Sequence, residues 1–489
     1  MLFNSYVFLL AFLPIVFIVY FGCNRFGWYR IAQSALVVAS FVFYGYQDLR
    51  LCFLLAFSIA MNYLFHLALT GKRMSATMRK ALMILGVIGN FGILFYFKYL
   101  DFTITNINLL TGSELALYHI ALPLGISFYT FQQVSFVIDS YKREMSRYHI
   151  VDYALFVSFF PQLVAGPIVL HSEMIPQFGE ESRKKIHYPN LVAGLEYLIL
   201  GLAKKVILAD TFGRMSDAGF LAIKSLNSLS AVTVMLAYTL EIYFDFSGYC
   251  DMAIGIGKLF NIEIPINFHS PYKSTNISQF WKTWHITLTR FLTTYLYIPL
   301  GGNRKGMKRA CLNVLIVFTL SGLWHGANWT YVIWGMMHGV MMVLYRLCKR
   351  QADALPKWLG FILTFGFVNV AWLFFRADDL LQPFKLVYMM VFGGGGGFTE
   401  SLVNAVCEKN TLLTFLGYFV GDNCLAVLSQ IMTAVWIIGP LVMCVKAPST
   451  HEMVAGKCRK HWYFVYLAGL FVWSVCKLSQ VSKFIYFNF

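Results

Sequence analysis

Two histidines stand in settings that suit chemistry. One lies in the run WKTWHITL, residues 281–288, and the other in SGLWHGANW, residues 321–329. An imidazole exchanges a proton near neutral pH and is costly to dehydrate, so His285 and His325, flanked by tryptophans in an apolar chain, are candidates for a base, an acid or a hydrogen-bond donor. For either ring alone, a histidine satisfied by a backbone carbonyl is the competing account. Two such rings, one in the most polar long stretch of the chain (268–306) and one in a glycine-containing break, favour function, although spacing alone does not bring them together. Lys204, Lys205, Glu241, Asp245 and Asp251 lie in or beside apolar runs, where ionisable groups face a cavity or a partner. Asp245 and Ser247 in FDFSG are the next candidates to line such a cavity, against a structural ion pair of Asp245 with Lys204, Lys205 or Arg290. Asn303 and Arg304 follow two glycines, and a guanidinium offers a planar fork to phosphate or carboxylate. The competing account is a basic anchor continued by Lys305, Lys308 and Arg309. His338, thirteen residues past His325, reads as structural.

The elements that must position these groups are membrane helices. Of 489 residues, 58% are hydrophobic and only 13% charged, about half the charged share that a soluble surface requires. Disorder, collagen-like repeats and a soluble cytosolic enzyme are excluded. The excess of 39 Lys and Arg over 23 Asp and Glu has no polar basic domain to carry nucleic acid, so it reads as loops facing anionic headgroups. Ten cysteines are scattered without metal spacing. Apolar runs at 2–21, 31–46, 51–69 and 81–99 form an N-terminal bundle, the first read as a retained span because it lacks a basic n-region and a cleavage site. Basic residues after the first, third and fifth spans put those loops in the cytoplasm and Met1 outside. Residues 153–170 are broken by Pro161, Gly166 and Pro167 and flanked by basic clusters, as in a segment that dips in and returns, or in a kinked helix. Further runs at 311–323, 329–347, 359–375, 411–420, 431–445 and 462–476, with a glycine loop at 393–397, bring the expectation to roughly eleven to thirteen membrane segments in an all-α polytopic protein. No internal repeat, nucleotide-binding glycine motif or serine nucleophile elbow is evident.

The chain resembles the membrane-bound O-acyltransferase family, in particular its bacterial branch acting in alginate and peptidoglycan O-acetylation, and more distantly the teichoic-acid D-alanyltransferases. The landmarks run nearly the full length: FNSYVF (3–8), LGISFYTFQ (124–132), FFPQLVAGP (159–167), YFDFSGY (243–249), WKTWH (281–285), YIPLGGNR (297–304), LWHGA (323–327) and FIYFNF (484–489). The resemblance implies helices around a central funnel, with N-terminal helices at 1–118, a core at 119–347 holding both motif histidines and C-terminal helices at 348–489. It implies His325 as general base and His285 as second catalytic histidine; alongside them, Asp245, Ser247, Trp281, Trp284, Trp324, Asn303 and Arg304 are the candidate substrate-binding residues. No tightly bound cofactor and no metal are expected, and acetyl-CoA is the implied acyl donor. The implied setting is a bacterial inner membrane, with an extracytoplasmic polysaccharide acceptor and an exported partner bearing an SGNH-hydrolase-like site. Two alternatives stay open: aminoacyl transfer from a carrier protein to teichoic acid, and, in another class, a transporter or flippase, which needs no general base. A non-catalytic scaffold would not need the two intact histidines.

Overall fold

The computed structural model describes residues 1–489 apart from 72–73, 144, 408–421, 457–460, 481–483 and 486–489. Every regular element among the described residues is helical. Among them, seven helices are long and apolar enough to cross a membrane by length and composition: Phe8–Arg25, Arg50–Leu69, Ala76–Thr111, Ser228–Leu259, Gly306–His325, Lys357–Arg376 and Asn423–Lys446. Other expected spans are shorter helices, Tyr29–Gly45 and His461–Lys477, while the run at 411–420 lies outside the described residues. The chain is an all-α, multi-pass membrane protein. Leu10, Ile18, Phe53 and Leu64 are exposed on these helices, the arrangement a lipid-facing surface requires.

The helices group into two compact units. The first comprises Met1–Gly201, Tyr249–Asn267 and Arg459–Leu478. Its inner helix, Ile126–Lys142, is buried along most of its length because Ser127, Thr130, Gln132, Gln133, Ser135 and Ser140 cannot face lipid without partners. Those partners are internal: Gln133 Nε2 donates to Ser58 Oγ at 2.7 Å, and the Tyr153 hydroxyl donates to Gln133 Oε1 at 3.0 Å. The proline-containing segment is broken as its sequence suggests. Helices Ile150–Ser158 and Phe160–Leu163 are followed by a non-helical run through 170. Gly125 lies against it with φ +75°, and a Cβ there would lie 2.6 Å from the Leu163 carbonyl oxygen, so glycine alone fits.

The second unit comprises Leu202–Gly248, Phe268–Cys458 and Ser479–Phe489 and holds both motif histidines. Its core contains the indoles of Trp284, Trp334 and Trp372, all essentially inaccessible. Trp334 stacks on Trp372 at 5.6 Å, and Trp372 lies 4.9 Å from Trp284. Helices Gly306–His325 and Trp329–Leu347 pack closely through Gly322 and Gly335. A Cβ on Gly322 would stand 2.2 Å from the Tyr331 carbonyl oxygen, and one on Gly335 would stand 2.3 Å from that of Phe318. Small residues let two membrane helices approach backbone to backbone, and here that approach fixes where His325 ends up. The glycine run forms the loop after helix Gln382–Phe392, where Asn227 Nδ2 donates to the Gly397 carbonyl at 2.6 Å.

Candidate active site

His325 is the last residue of helix Gly306–His325, which ends because Gly326 turns extended (φ −160°, ψ 147°). The Tyr331 ring lies where a side chain on residue 326 would be. His285 reaches the same place by a different device. The polar stretch forms two short helices, Ile277–Thr283 and Ile286–Leu292, and His285 joins them in the left-handed region at φ 45°, ψ 52°. A non-glycine residue held there stores backbone strain, which tends to be retained where function requires it. The two imidazoles lie 6.3 Å apart between ring centres, both buried. Trp324 packs on both rings, at 4.9 Å from His325 and 6.4 Å from His285. Phe246 meets His285 edge-on at 4.8 Å, and Trp334 meets His325 at a right angle at 5.1 Å. Aromatic rings thus pack on both imidazoles, and a buried setting of this kind strengthens any hydrogen bond formed inside.

The other residues singled out by sequence divide into three groups. Trp281 and Trp284 lie behind the histidine pair: Trp281 Nε1 donates to His338 Nδ1 at 3.2 Å, and Trp284 packs between Phe268 and Trp372. His338 is fully buried in this cluster. Asp245 and Ser247 are both buried on helix Ser228–Leu259. Of the three cations considered for Asp245, it is Lys205 that pairs with it, Nζ to Oδ1 at 2.6 Å, while Asp210 takes the same ammonium at 2.9 Å. The other Asp245 oxygen accepts from the Ile485 backbone N–H at 2.9 Å. Ser247 Oγ is buried and makes no hydrogen bond among the described residues. Asn303 and Arg304 are exposed in the loop preceding the His325 helix, where Tyr297 donates to Asn303 Oδ1 at 2.6 Å. The helix that runs from that loop to His325 has twenty residues, about 30 Å of axis. One end of the helix therefore carries the basic loop and the other the imidazole.

Beyond the histidine pair lies a cavity of about 610 Å³. Phe375 and Tyr331 form part of its wall, and the Phe375 ring also packs on His325 at 5.2 Å. A single aromatic ring thus lies between cavity and imidazole. Sequence reasoning missed Phe375, Tyr331 and Arg376, because an aromatic or arginine at the end of an apolar helix looks like an ordinary interfacial residue. Glu241 carried a signal, being a carboxylate within an apolar run.

The close helix approach makes a direct prediction. Gly322→Ala should push the His325 helix off its neighbour and lower turnover at least tenfold while the protein still inserts and elutes as one species, because displacements near 1 Å at a reacting centre can cost about 10²-fold. Turnover against folded fraction by size exclusion checks it; full activity would mean that the helix contact does not set the imidazole position.

The chain is an all-α membrane bundle that buries a tryptophan-flanked histidine pair. The chain belongs to the membrane-bound O-acyltransferase family, which it matches over residues 91–378. It is an O-acyltransferase, in the part of the family whose named members act in O-acetylation. It is 39% identical to a peptidoglycan O-acetyltransferase of Helicobacter pylori over 100% of this chain and 98% of that protein. It is 36% identical to a probable alginate O-acetylase, AlgI, of Pseudomonas aeruginosa, over 81% of this chain and 75% of that one. Similarity to a teichoic acid D-alanyltransferase of Streptococcus thermophilus is 28% and covers 52% of this chain and 68% of that protein.

Proposed function

We propose that this enzyme moves an acetyl group from a cytoplasmic thioester, acetyl-CoA, across a bacterial inner membrane to O-acetylate an extracytoplasmic polysaccharide. The observation that carries the reading is the buried His285–His325 pair, 6.3 Å apart, at the end of a helix whose other end carries a basic loop. In this reading Arg304, Lys305, Lys308 and Arg309 face the cytoplasm with Met1 outside, and Asn303 and Arg304 meet the anionic head of the donor.

A hydroxyl is a weak nucleophile until its proton is taken. Neutral His325 accepts that proton as the oxygen attacks the thioester carbonyl, the C–S bond breaks, and the thiolate leaves with the proton that the imidazole returns. His285 donates to the oxyanion that forms on the carbonyl, where a fixed donor in a dry aromatic wall acts strongly. Trp324 packs on both imidazoles with Trp281 and Trp284 behind the pair, and Asp245 and Ser247 belong to the acceptor side. Transfer to the polymer is completed by an exported partner with an SGNH-hydrolase-like site. Acetyl rather than aminoacyl transfer is supported by the full-length similarity to the peptidoglycan O-acetyltransferase, against about half the chain for the D-alanyltransferase.

The test uses purified protein in nanodiscs with radiolabelled acetyl-CoA, following thioester consumption and label transfer to polysaccharide with and without an exported partner. Consumption of acetyl-CoA with label appearing on a hydroxyl acceptor is expected. Labelling only from a carrier-protein thioester would replace the donor, and no consumption of either thioester would sink the reading.

A further inference from the structure

The cavity beyond Phe375 runs from an exposed acidic mouth to a buried acid. Asp217 and Asp378 keep 63% and 79% of their side chains exposed, whereas Glu241, on helix Ser228–Leu259, is about nine-tenths buried and lines the same cavity. Glu241 Oε2 has no hydrogen-bond partner among the described residues. A buried carboxylate oxygen left without a donor is costly, so its retention calls for a donor that arrives from elsewhere. Gly213 leaves room for this acid, since a Cβ there would stand 3.0 Å from Glu241 Oε1.

The charge of the wall selects the kind of donor. Five carboxyl groups line the cavity against the three cations Lys205, Arg214 and Arg376. Those cations are engaged: Lys205 lies between Asp210 and Asp245, Arg376 meets Asp217 at 2.6 Å and Asp378 at 3.9 Å, and Arg214 donates to the Ala405 carbonyl and to Thr211. A hydroxyl would satisfy Glu241 and leave the excess of negative charge in place, whereas a cation answers both. Among the described residues no three His, Cys, Asp or Glu side chains gather to hold a metal ion, so the fitting cation is an organic one. A guanidinium or ammonium on a long apolar stem reaches a buried acid from an exposed mouth, and its charge-assisted hydrogen bond is roughly twice as strong as a neutral one. A phospholipid amine would carry a phosphate into the same acidic wall, while an arginine or lysine side chain brings no anion. The volume of about 610 Å³ lies within the roughly 300–1,000 Å³ of sites that take a whole small molecule, room for such a side chain and the residues that carry it.

We propose that this cavity is a docking site for a basic side chain, arginine or lysine, of the exported partner protein, whose cation pairs with Glu241. The position of the mouth agrees with that occupant. Arg376 and Asp378 follow Phe375, which packs on His325 at the end of helix Gly306–His325 away from the basic loop. In the proposed topology that end is extracytoplasmic, the side on which an exported protein works. The proposal rests on the reading of an enzyme whose acetyl group passes to such a partner, and adds where the partner is held: one aromatic ring away from His325, with the packing around both imidazoles left intact.

The experiment uses the full chain in nanodiscs of phosphatidylcholine, whose headgroup cation has no N–H to donate. Two tritiated, end-capped pentapeptides, Gly-Ala-Arg-Ala-Gly and its citrulline counterpart, are titrated by equilibrium dialysis. Citrulline keeps the shape of arginine without its charge. Wild type is expected to bind the arginine peptide at least tenfold tighter than the citrulline peptide. Glu241→Gln, which keeps the shape and removes the charge, should abolish that preference by weakening the arginine peptide alone. Gly213→Ala, which crowds the carboxylate without altering it, should weaken the arginine peptide by a smaller factor and guards against a folding defect in the first variant. Equal binding of the two peptides by wild type, or a preference that survives in both variants, would overturn the docking site. So would a preference that vanishes when phosphatidylethanolamine replaces phosphatidylcholine, because the cavity would then belong to a lipid amine. The titration uses no thioester and no acceptor, so failure of wild type to consume acetyl-CoA strikes the underlying reading, while the cation site stands or falls on the peptides alone.

Discussion

His325→Ala is expected to lower acetyl transfer by about 10²–10⁴-fold, the contribution typical of a positioned general base, with the protein still folded and inserted. The aromatic cage around the ring explains why folding should survive. Trp324, Trp334 and Phe375 pack on the imidazole, and the contacts of Trp334 and Phe375 with each other and with Trp372 do not depend on it. His285→Ala should also impair turnover. Single-turnover transfer measures both variants; residual activity of the His325 variant within tenfold of wild type would remove it from the role.

Much of this site was legible in the sequence, for a physical reason. Polar and ionisable side chains in apolar runs are expensive, so His285, His325, Asp245 and Glu241 stood out without any geometry. The break at 159–170 was equally visible, because prolines and glycines cannot continue a span. What was not legible is everything that depends on residues far apart in the chain meeting. Arg376 and Asp217 pair across 159 residues, and nothing local marks either. Phe375 and Tyr331 look like lipid-facing or interfacial aromatics until the fold sets them against each other, with Phe375 on His325 and both lining the cavity. His285 was flagged by its tryptophans, but its left-handed backbone was not, since a single residue between two short helices leaves no periodic trace. The alternatives for Asp245 could be enumerated from composition, whereas the choice of Lys205 required the fold.

That choice sets the second large effect. Lys205 is buried between Asp210 and Asp245, at 2.9 Å and 2.6 Å, and all three side chains are almost inaccessible. Lys205→Met preserves the volume of the stem but leaves two carboxylates buried without their cation. Breaking a buried ion pair from one side typically destabilises by about 3–5 kcal/mol, far more than the intact pair contributes over a well-packed apolar replacement. The variant should therefore unfold at a clearly lower temperature in detergent, followed by tryptophan fluorescence, and yield less folded protein. Adding Asp210→Asn and Asp245→Asn removes the stranded charges, and the triple variant should recover most of the loss. The recovery is what distinguishes the charge argument from simple misfit of methionine: a triple variant as unstable as the single one would show that packing around the ammonium, not its charge, holds these helices. Because Asp245 also accepts from the Ile485 backbone N–H, its amide loses one acceptor to that segment's donor only if it turns its nitrogen toward it. The triple variant can thus be stable and still lose activity, which would place the triad on the acceptor side of the chemistry as well as in the core.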